Sequence, residues 1–282
     1  MDFNDIKKIF LKFWKSENGT ISLIRDVMVA LVLVLIILTI LWAYTGQWLS
    51  APMVAIESGS MMHAEEPFGG IGYIDAGDMV LLVKVDGRED VVTHRKGFND
   101  KMSDYFFYND YGDVIIYRKY GLENEDQIIH RAMCWIEYHG NNQTYSVDEY
   151  GIHYADSITI SELGLNGYEP DHSGFITQGD NPLTNPTSDQ VGGICSEPIK
   201  PGWISGKARG EIPWVGTINL LFDDIITGSF FNPLKRPTVY NVPEDSMICL
   251  VLLIAVLISI PVGLDFYDWY EQKKKMKNEN EW

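Results

Sequence analysis

The sequence predicts a mainly β domain anchored in a membrane by a helix on each side of it, within a chain of 282 residues. Three observations predict this. Val27 to Tyr44 and Met247 to Leu264 are apolar runs of 18 residues, the first interrupted only by Thr39 and the second free of charge. At about 1.5 Å per residue each spans a hydrocarbon layer about 30 Å thick, and a helix apolar on every face is rarely the core helix of a soluble fold. Lysines flank both runs on their outer sides. Between the runs, short β-type segments alternate with turn residues.

Taken in order, residues 1–23 carry Phe3, Ile6, Phe10 and Phe13 at helical spacing with Lys7, Lys8, Lys12 and Lys15 between them. That pattern predicts a basic amphipathic helix lying on the inner leaflet. Residues 24–48 form the first span. Trp42, Tyr44 and Trp48 sit at its end, where a cleaved leader has small residues, and suit a membrane–water interface. Residues 49–245 form one outer domain, 246–265 the second span and 266–282 a cytoplasmic tail. Lysines precede span one and follow span two, and no Lys or Arg lies between Leu49 and Val83. The positive-inside rule then puts both termini in the cytoplasm, with Lys235 and Arg236 the one mild dissent.

In the outer domain Met79 to Val85, Val114 to Tyr117, Ile128 to Tyr138 and Tyr145 to Val147 read as strands, with Val54 to Ile56 a further one. Asp86-Gly87, Gly112-Asp113 and Gly140-Asn141-Asn142 read as breaks. Residues 86–113 read as a polar surface insertion. Phe230-Phe231-Asn232-Pro233 and Pro237 to Pro243 mark the exit toward span two, the aromatic pair suiting either the membrane surface or packing.

The terminal segments balance at 9 acidic and 9 basic residues, so the middle holds 30 acidic against 13 basic and carries the whole net charge of −17. Such a surface repels nucleic acid. It reads as a solvated acidic coat, or alternatively as an acidic site for basic substrates. Cys134 and Cys195 permit one disulfide without establishing it, and no metal-ligand spacing or cofactor motif appears. Asn142-Gln143-Thr144 is a sequon on the outer side; Asn18-Gly19-Thr20 faces inward.

Ser60, in Ser58-Gly59-Ser60-Met61, is the candidate nucleophile, because it follows a membrane span by only 16 residues beyond Tyr44 in a small, exposed turn. A serine hydroxyl needs a base to take its proton and donors to hold the oxyanion. His130 in Ile129-His130-Arg131 is the candidate base: strand alternation sets it on one face with Ala132, Cys134 and Ile136, opposite Arg131, Met133 and Trp135. His63 is a less favoured rival. Gly179-Asp180-Asn181 reads first as a turn, and Asp189, at the end of the following loop, is the candidate carboxylate to accept the far ring N–H of His130.

Taken with Gly112-Asp113-Val114-Ile115-Ile116-Tyr117-Arg118, these segments resemble in order and spacing the boxes of type I signal peptidases. The likeness is to the archaeal and endoplasmic-reticulum branch, where histidine replaces the bacterial lysine. Gly193-Ile194-Cys195-Ser196-Glu197-Pro198-Ile199-Lys200-Pro201 and Gly206-Lys207-Ala208-Arg209 are similar to archaeal members, and the likeness covers Ala51 to Phe222. Met62-His63-Ala64-Glu65-Glu66-Pro67 departs from the family's short Met-x-Pro run, and the loop from Asp180 to Asp189 is longer than in many relatives.

The resemblance implies a signal-peptidase-like β-rich fold and a serine endopeptidase that removes signal peptides after small residues. Ser60 attacks, His130 is the base, Asp189 or Asp180 supports it, and Ser58 joins the Ser60 N–H in the oxyanion hole. Expected partners are signal peptides of secretory preproteins, the lipid bilayer and the protein-export channel, with no nucleic acid and no cofactor. The substrate is expected to lie as a strand along a sheet edge. The rival of another class is a membrane-tethered β domain that binds partners without catalysis; a Ser–Lys peptidase lacks its lysine here. The tail Asn278-Glu279-Asn280-Glu281-Trp282 has no terminal lysine signal, and with the acidic exterior this leans toward an archaeal cell surface.

Overall fold

The computed structural model describes residues 3–16, 18–48, 50–63, 72–232 and 234–279. The chain divides into two compact units, Met1–Pro52 and Met53–Trp282.

The first unit is helical. α1 covers Phe3–Trp14, the segment expected to be helical; the apolar face expected of Phe3, Ile6 and Phe10 lies outside the described side chains. α2 runs from Gly19 to Thr45. It starts earlier than residue 24 because Asn18 caps it, its Oδ1 accepting from Thr20 N at 3.0 Å and Ile21 N at 3.3 Å. Asn18 of the Asn18-Gly19-Thr20 sequon is thus a helix cap. At the other end Gly46 takes the left-handed conformation (φ 69°) and donates its N–H to Trp42 O. The apolar window of α2 has a mean hydropathy of 2.9 and none of it is buried. It is long and apolar enough to cross a membrane.

The second unit is built on an antiparallel sheet. Its elements are β1 (Met53–Ala55), β2 (Met79–Val83), α3 (His94–Asp100), β3 (Phe106–Phe107), β4 (Asp110–Tyr111), β5 (Val114–Arg118), β6 (Gln127–His139), β7 (Thr144–Val147), β8 (Ile152–Ala155), β9 (Ile158–Ile160), β10 (Leu165–Tyr168), β11 (Gly174–Gln178), α4 (Asp189–Gly192), β12 (Ile204–Ile212), α5 (Gly216–Ile226) and α6 (Glu244–Glu279). The main sheet has the order β1-β2-β12-β5-β6-β7-β8, with β11 also on β6. β6 is long enough for three partners: β5 along Gln127–Arg131, β11 along Arg131–Ile136 and β7 along Glu137–His139.

The expected strands are present to within a residue or two. Helical residues nevertheless outnumber strand residues, 44% to 23%, because the two long helices contribute so many. β5 shows why the sheet is buried on both faces. Val114 and Ile116 point into one cluster with Met61, Ile74 and Ile129, while Ile115 and Tyr117 point into another with Ala132, Phe175 and Ile199.

Strict alternation along β6 fails at Met133. Thr177 pairs with Ala132 and Ile176 with Cys134, so one step on β11 spans two on β6. The extra residue exchanges the faces beyond it: Trp135 packs with Ala132, whereas Cys134 and Ile136 join a third cluster. Cys134 and Cys195 are both free thiols and fully buried. The region 86–113 is no loose insertion either, since it contains α3 and the β3–β4 hairpin and buries Val91, Val92 and Tyr108.

β12 went unread because Ser205-Gly206-Lys207-Ala208-Arg209 has little apolar content, yet its alternate positions Ile204, Gly206 and Ala208 are buried. α6 starts at Glu244 and continues to Glu279, well past residue 265, and its window from Glu244 to Lys274 also has the length and hydropathy of a membrane span.

Candidate functional site

Two buried ion-pair hubs tie together the segments that carry the candidate residues. Asp113, fully buried, receives Lys207 Nζ at 3.3 Å, the Arg209 guanidinium and Val92 N at 3.0 Å. The Gly112 before it has φ +83°, and a side chain there would stand 2.4 Å from His94 N. Arg131, 1% exposed, donates to Phe107 O, Tyr108 O, Asp110 O, Tyr111 O and Gly112 O. It also forms a two-pronged pair with Asp180, Nε to Oδ1 at 2.9 Å and Nη2 to Oδ2. Asp180 is therefore committed to Arg131, on the face of β6 away from His130. The segments 112–118, 129–131, 179–181 and 206–209 all meet through these two hubs.

His130 pairs with Ile115, which puts its ring on the Tyr117 face. Its Nδ1 lies 2.8 Å from both Asp189 oxygens, and both side chains are almost fully buried. Tyr117 Oη donates to Asp189 Oδ2 at 2.7 Å and Thr177 Oγ1 to the same oxygen at 2.6 Å. Burial alone would raise the Asp189 pKa. The hydrogen bond and charge of His130, then Thr177 and Tyr117, outweigh it and hold the carboxyl below its ordinary range. Burial, and next the Asp189 charge, push Tyr117 far up, so its hydroxyl stays a donor. The carboxylate that supports the imidazole is Asp189; Asp180 stands elsewhere.

The Ser58–Met61 turn is anchored from both sides. Met61 is 1% exposed in the core, and Met62 N donates to Gly59 O. From the 179–185 loop, Asn181 N and Asn185 Nδ2 donate to Ser60 O at 2.9 and 3.1 Å, and Asn181 Nδ2 donates to Gly59 O at 2.8 Å. Gly179 makes this approach feasible: a Cβ there would lie 2.6 Å from Ser60 O and 2.5 Å from Asn185 Nδ2. The Ser60 and Ser58 hydroxyls are 3.3 Å apart.

Ser58, Ser60 and His130 line one cavity of about 730 Å³. With Nδ1 on Asp189, the ring's free nitrogen is Nε2. Edge strand β1 and residues Glu125–Ile129 form further walls, and Asn219, Leu220 and Asp223 of α5 contribute another. Glu57, Glu125, Asp126 and Asp223 make the lining acidic; partial burial, then Asp223 and Asp126, push the Glu57 pKa up. His63 packs against Tyr73, ring centroids 5.2 Å apart, and is not among the lining residues. Of the Met62-His63-Ala64-Glu65-Glu66-Pro67 departure only Met62 and His63 are described, and residues 64–71 lie outside the described residues.

Tyr117, Thr177, Asn181 and Asn185 escaped sequence reasoning as site residues. Each acts on a partner distant in the chain or in a loop, and no local pattern marks that. No family model matches the chain, and no curated protein matches it.

Proposed function

We propose that this chain is a membrane-tethered serine endopeptidase that removes N-terminal signal peptides from exported preproteins, cutting after small residues. The observation that carries the reading is one cavity lined by Ser60 and by a buried imidazole whose Nδ1 is held by the Asp189 carboxylate. A binding scaffold has no use for a buried His–Asp pair in one cavity with a serine.

In this reading His130 Nε2 takes the Ser60 proton as Oγ attacks the peptide carbonyl. The tetrahedral oxyanion is met by the Ser60 N–H and the Ser58 hydroxyl. His130 then gives its proton to the leaving amine, an acyl-enzyme remains, and water activated by the same ring hydrolyses it. Asp189 keeps the ring in the required tautomer and stabilises the imidazolium. β1 pairs with β2 alone among the described strands, so its outer edge is open to a substrate strand along the cavity, whose alternate side chains enter pockets. The two apolar helices tether the enzyme in the plane where substrate leaders emerge, with the catalytic domain outside and both termini in the cytoplasm.

The test is cleavage of a generic preprotein by detergent-solubilised protein and by its Ser60→Ala and His130→Ala variants. Both variants are expected to fold and to lose cleavage and labelling by a serine-reactive probe. Retained cleavage by Ser60→Ala removes the serine from the mechanism.

A further inference from the structure

α5 turns apolar side chains both inward and outward. Inward, Leu220 packs with Val239 and Val242. Asp224, 1% exposed, accepts from Thr238 N at 3.0 Å, Thr238 Oγ1 at 3.1 Å and Val239 N at 2.9 Å. These bonds fasten α5 to the turn Thr238–Asn241, which leads into α6 at Glu244.

Outward, Ile218, Leu221, Phe222 and Ile225 recur at helical spacing and are exposed, with Phe222 at 61% and neighbouring Ile226 at 81%. Phe231 and Leu234 continue the patch at 76% and 93%. A surface helix ordinarily presents polar residues to water. Here a chain of net charge −17 presents an uncharged apolar stripe, with Lys235 and Arg236 directly after it.

We infer that the outer face of α5 lies in the plane of the bilayer surface that α6 enters, with acyl chains against Phe222 and Ile226 and lipid phosphates against Lys235 and Arg236. Lipid is the occupant because the Asp224 bonds hold the stripe beside the start of a membrane-length helix, and because the basic pair complements phosphate. Asn219 and Asp223 on the same helix line the Ser60 cavity, so this seating sets the height of the cavity above the acyl chains. The inference rests on the reading of α6 as a membrane span and is independent of the peptidase chemistry.

The test uses the full chain with Ser60→Ala and Cys249→Ala, reconstituted in phosphatidylcholine vesicles, with an environment-sensitive fluorophore on Ile226→Cys. A second probe on Phe231→Cys guards against misfolding of the first, and Tyr154→Cys, 68% exposed on β8, is the reference. Expected are blue-shifted emission at 226 and 231, quenching by nitroxide lipids several-fold above the reference, and weaker quenching by aqueous iodide. Floating vesicles whose 226 and 231 probes behave like the reference overturn the inference alone. Failure of the protein to float with vesicles overturns the spanning reading as well. Because the serine is absent throughout, cleavage has no bearing on the outcome.

Discussion

The Nδ1 of His130 sits 2.8 Å from both oxygens of Asp189, although 59 residues separate the two in the chain. Tyr117 and Thr177 both donate to the same Asp189 oxygen, so the carboxylate cannot rotate without breaking a buried bond.

Asp189→Asn keeps the shape and loses the charge. An amide must then present its NH2 to the imidazole or to the Tyr117 and Thr177 hydroxyls, which disturbs the tautomer. The expected result is a fall in kcat of roughly 10³–10⁴ with KM little changed, measured on a preprotein or peptide substrate.

Asp180→Asn is expected to act on stability. It removes the negative charge opposite the buried Arg131 guanidinium and turns an amide NH2 toward one of its N–H groups, at a cost of roughly 3–5 kcal/mol. Thermal melts check the drop, and kcat on the folded fraction is expected to stay within a few-fold of the parent. A catalytic loss as deep as that of Asp189→Asn, with an unchanged melt, refutes this assignment.

Gly179→Ala tests how tightly the serine turn is held. The added methyl meets Ser60 O and Asn185 Nδ2, and the turn must shift. A displacement approaching 1 Å costs about 10² in kcat. Asn185→Ala removes one of two donors to Ser60 O and is expected to cost less.

The acidic lining predicts a preference for cationic residues beside the cut. Replacing a neutral residue near the scissile bond with Lys is expected to lower KM in dilute buffer. The gain is expected to fade at about 1 M salt, where the Debye length is about 3 Å, and to shrink in Asp126→Asn. A KM indifferent to substrate charge at low salt counts against it.

Asp75 gives a pH dependence of stability. It is 4% exposed, and burial, then the Asp245 carboxylate, push its pKa from 3.8 up to about 6. Between those values the folded chain holds a proton that the unfolded chain has lost, so this group lowers stability progressively as pH rises through the window. Above it the penalty is complete, about 1–3 kcal/mol at 1.4 kcal/mol per unit. Asp75→Asn is expected to raise the Tm near pH 8 and to lose that advantage near pH 4, by calorimetry at both. An equal shift at both pH values argues against ionisation as the cause.

Much of the architecture was legible because it is local. Two 18-residue apolar runs need no partner to be recognised, and period-two patterning located β2, β5, β6 and β7. β12 and α5 were not legible: the first is held by flanking strands despite its glycines, and the second hides only Gly216, Thr217, Leu220 and Asp224. The residue types of the site were legible too, as Ser58, Ser60, His130 and two candidate carboxylates.

By itself the sequence determined the two membrane-length helices, the strands β1, β2, β5, β6 and β7 between them, and Ser58, Ser60 and His130 as the residues to look for. Only the tertiary structure decided that Asp189 meets His130 while Asp180 meets Arg131, and that the faces of β6 exchange at Met133. The reason is geometric. Adjacent residues on a strand point to opposite faces, so His130 and Arg131 must draw different carboxylates. Which one each draws depends on how the 179–189 loop closes over the sheet, through contacts that no neighbouring residue encodes.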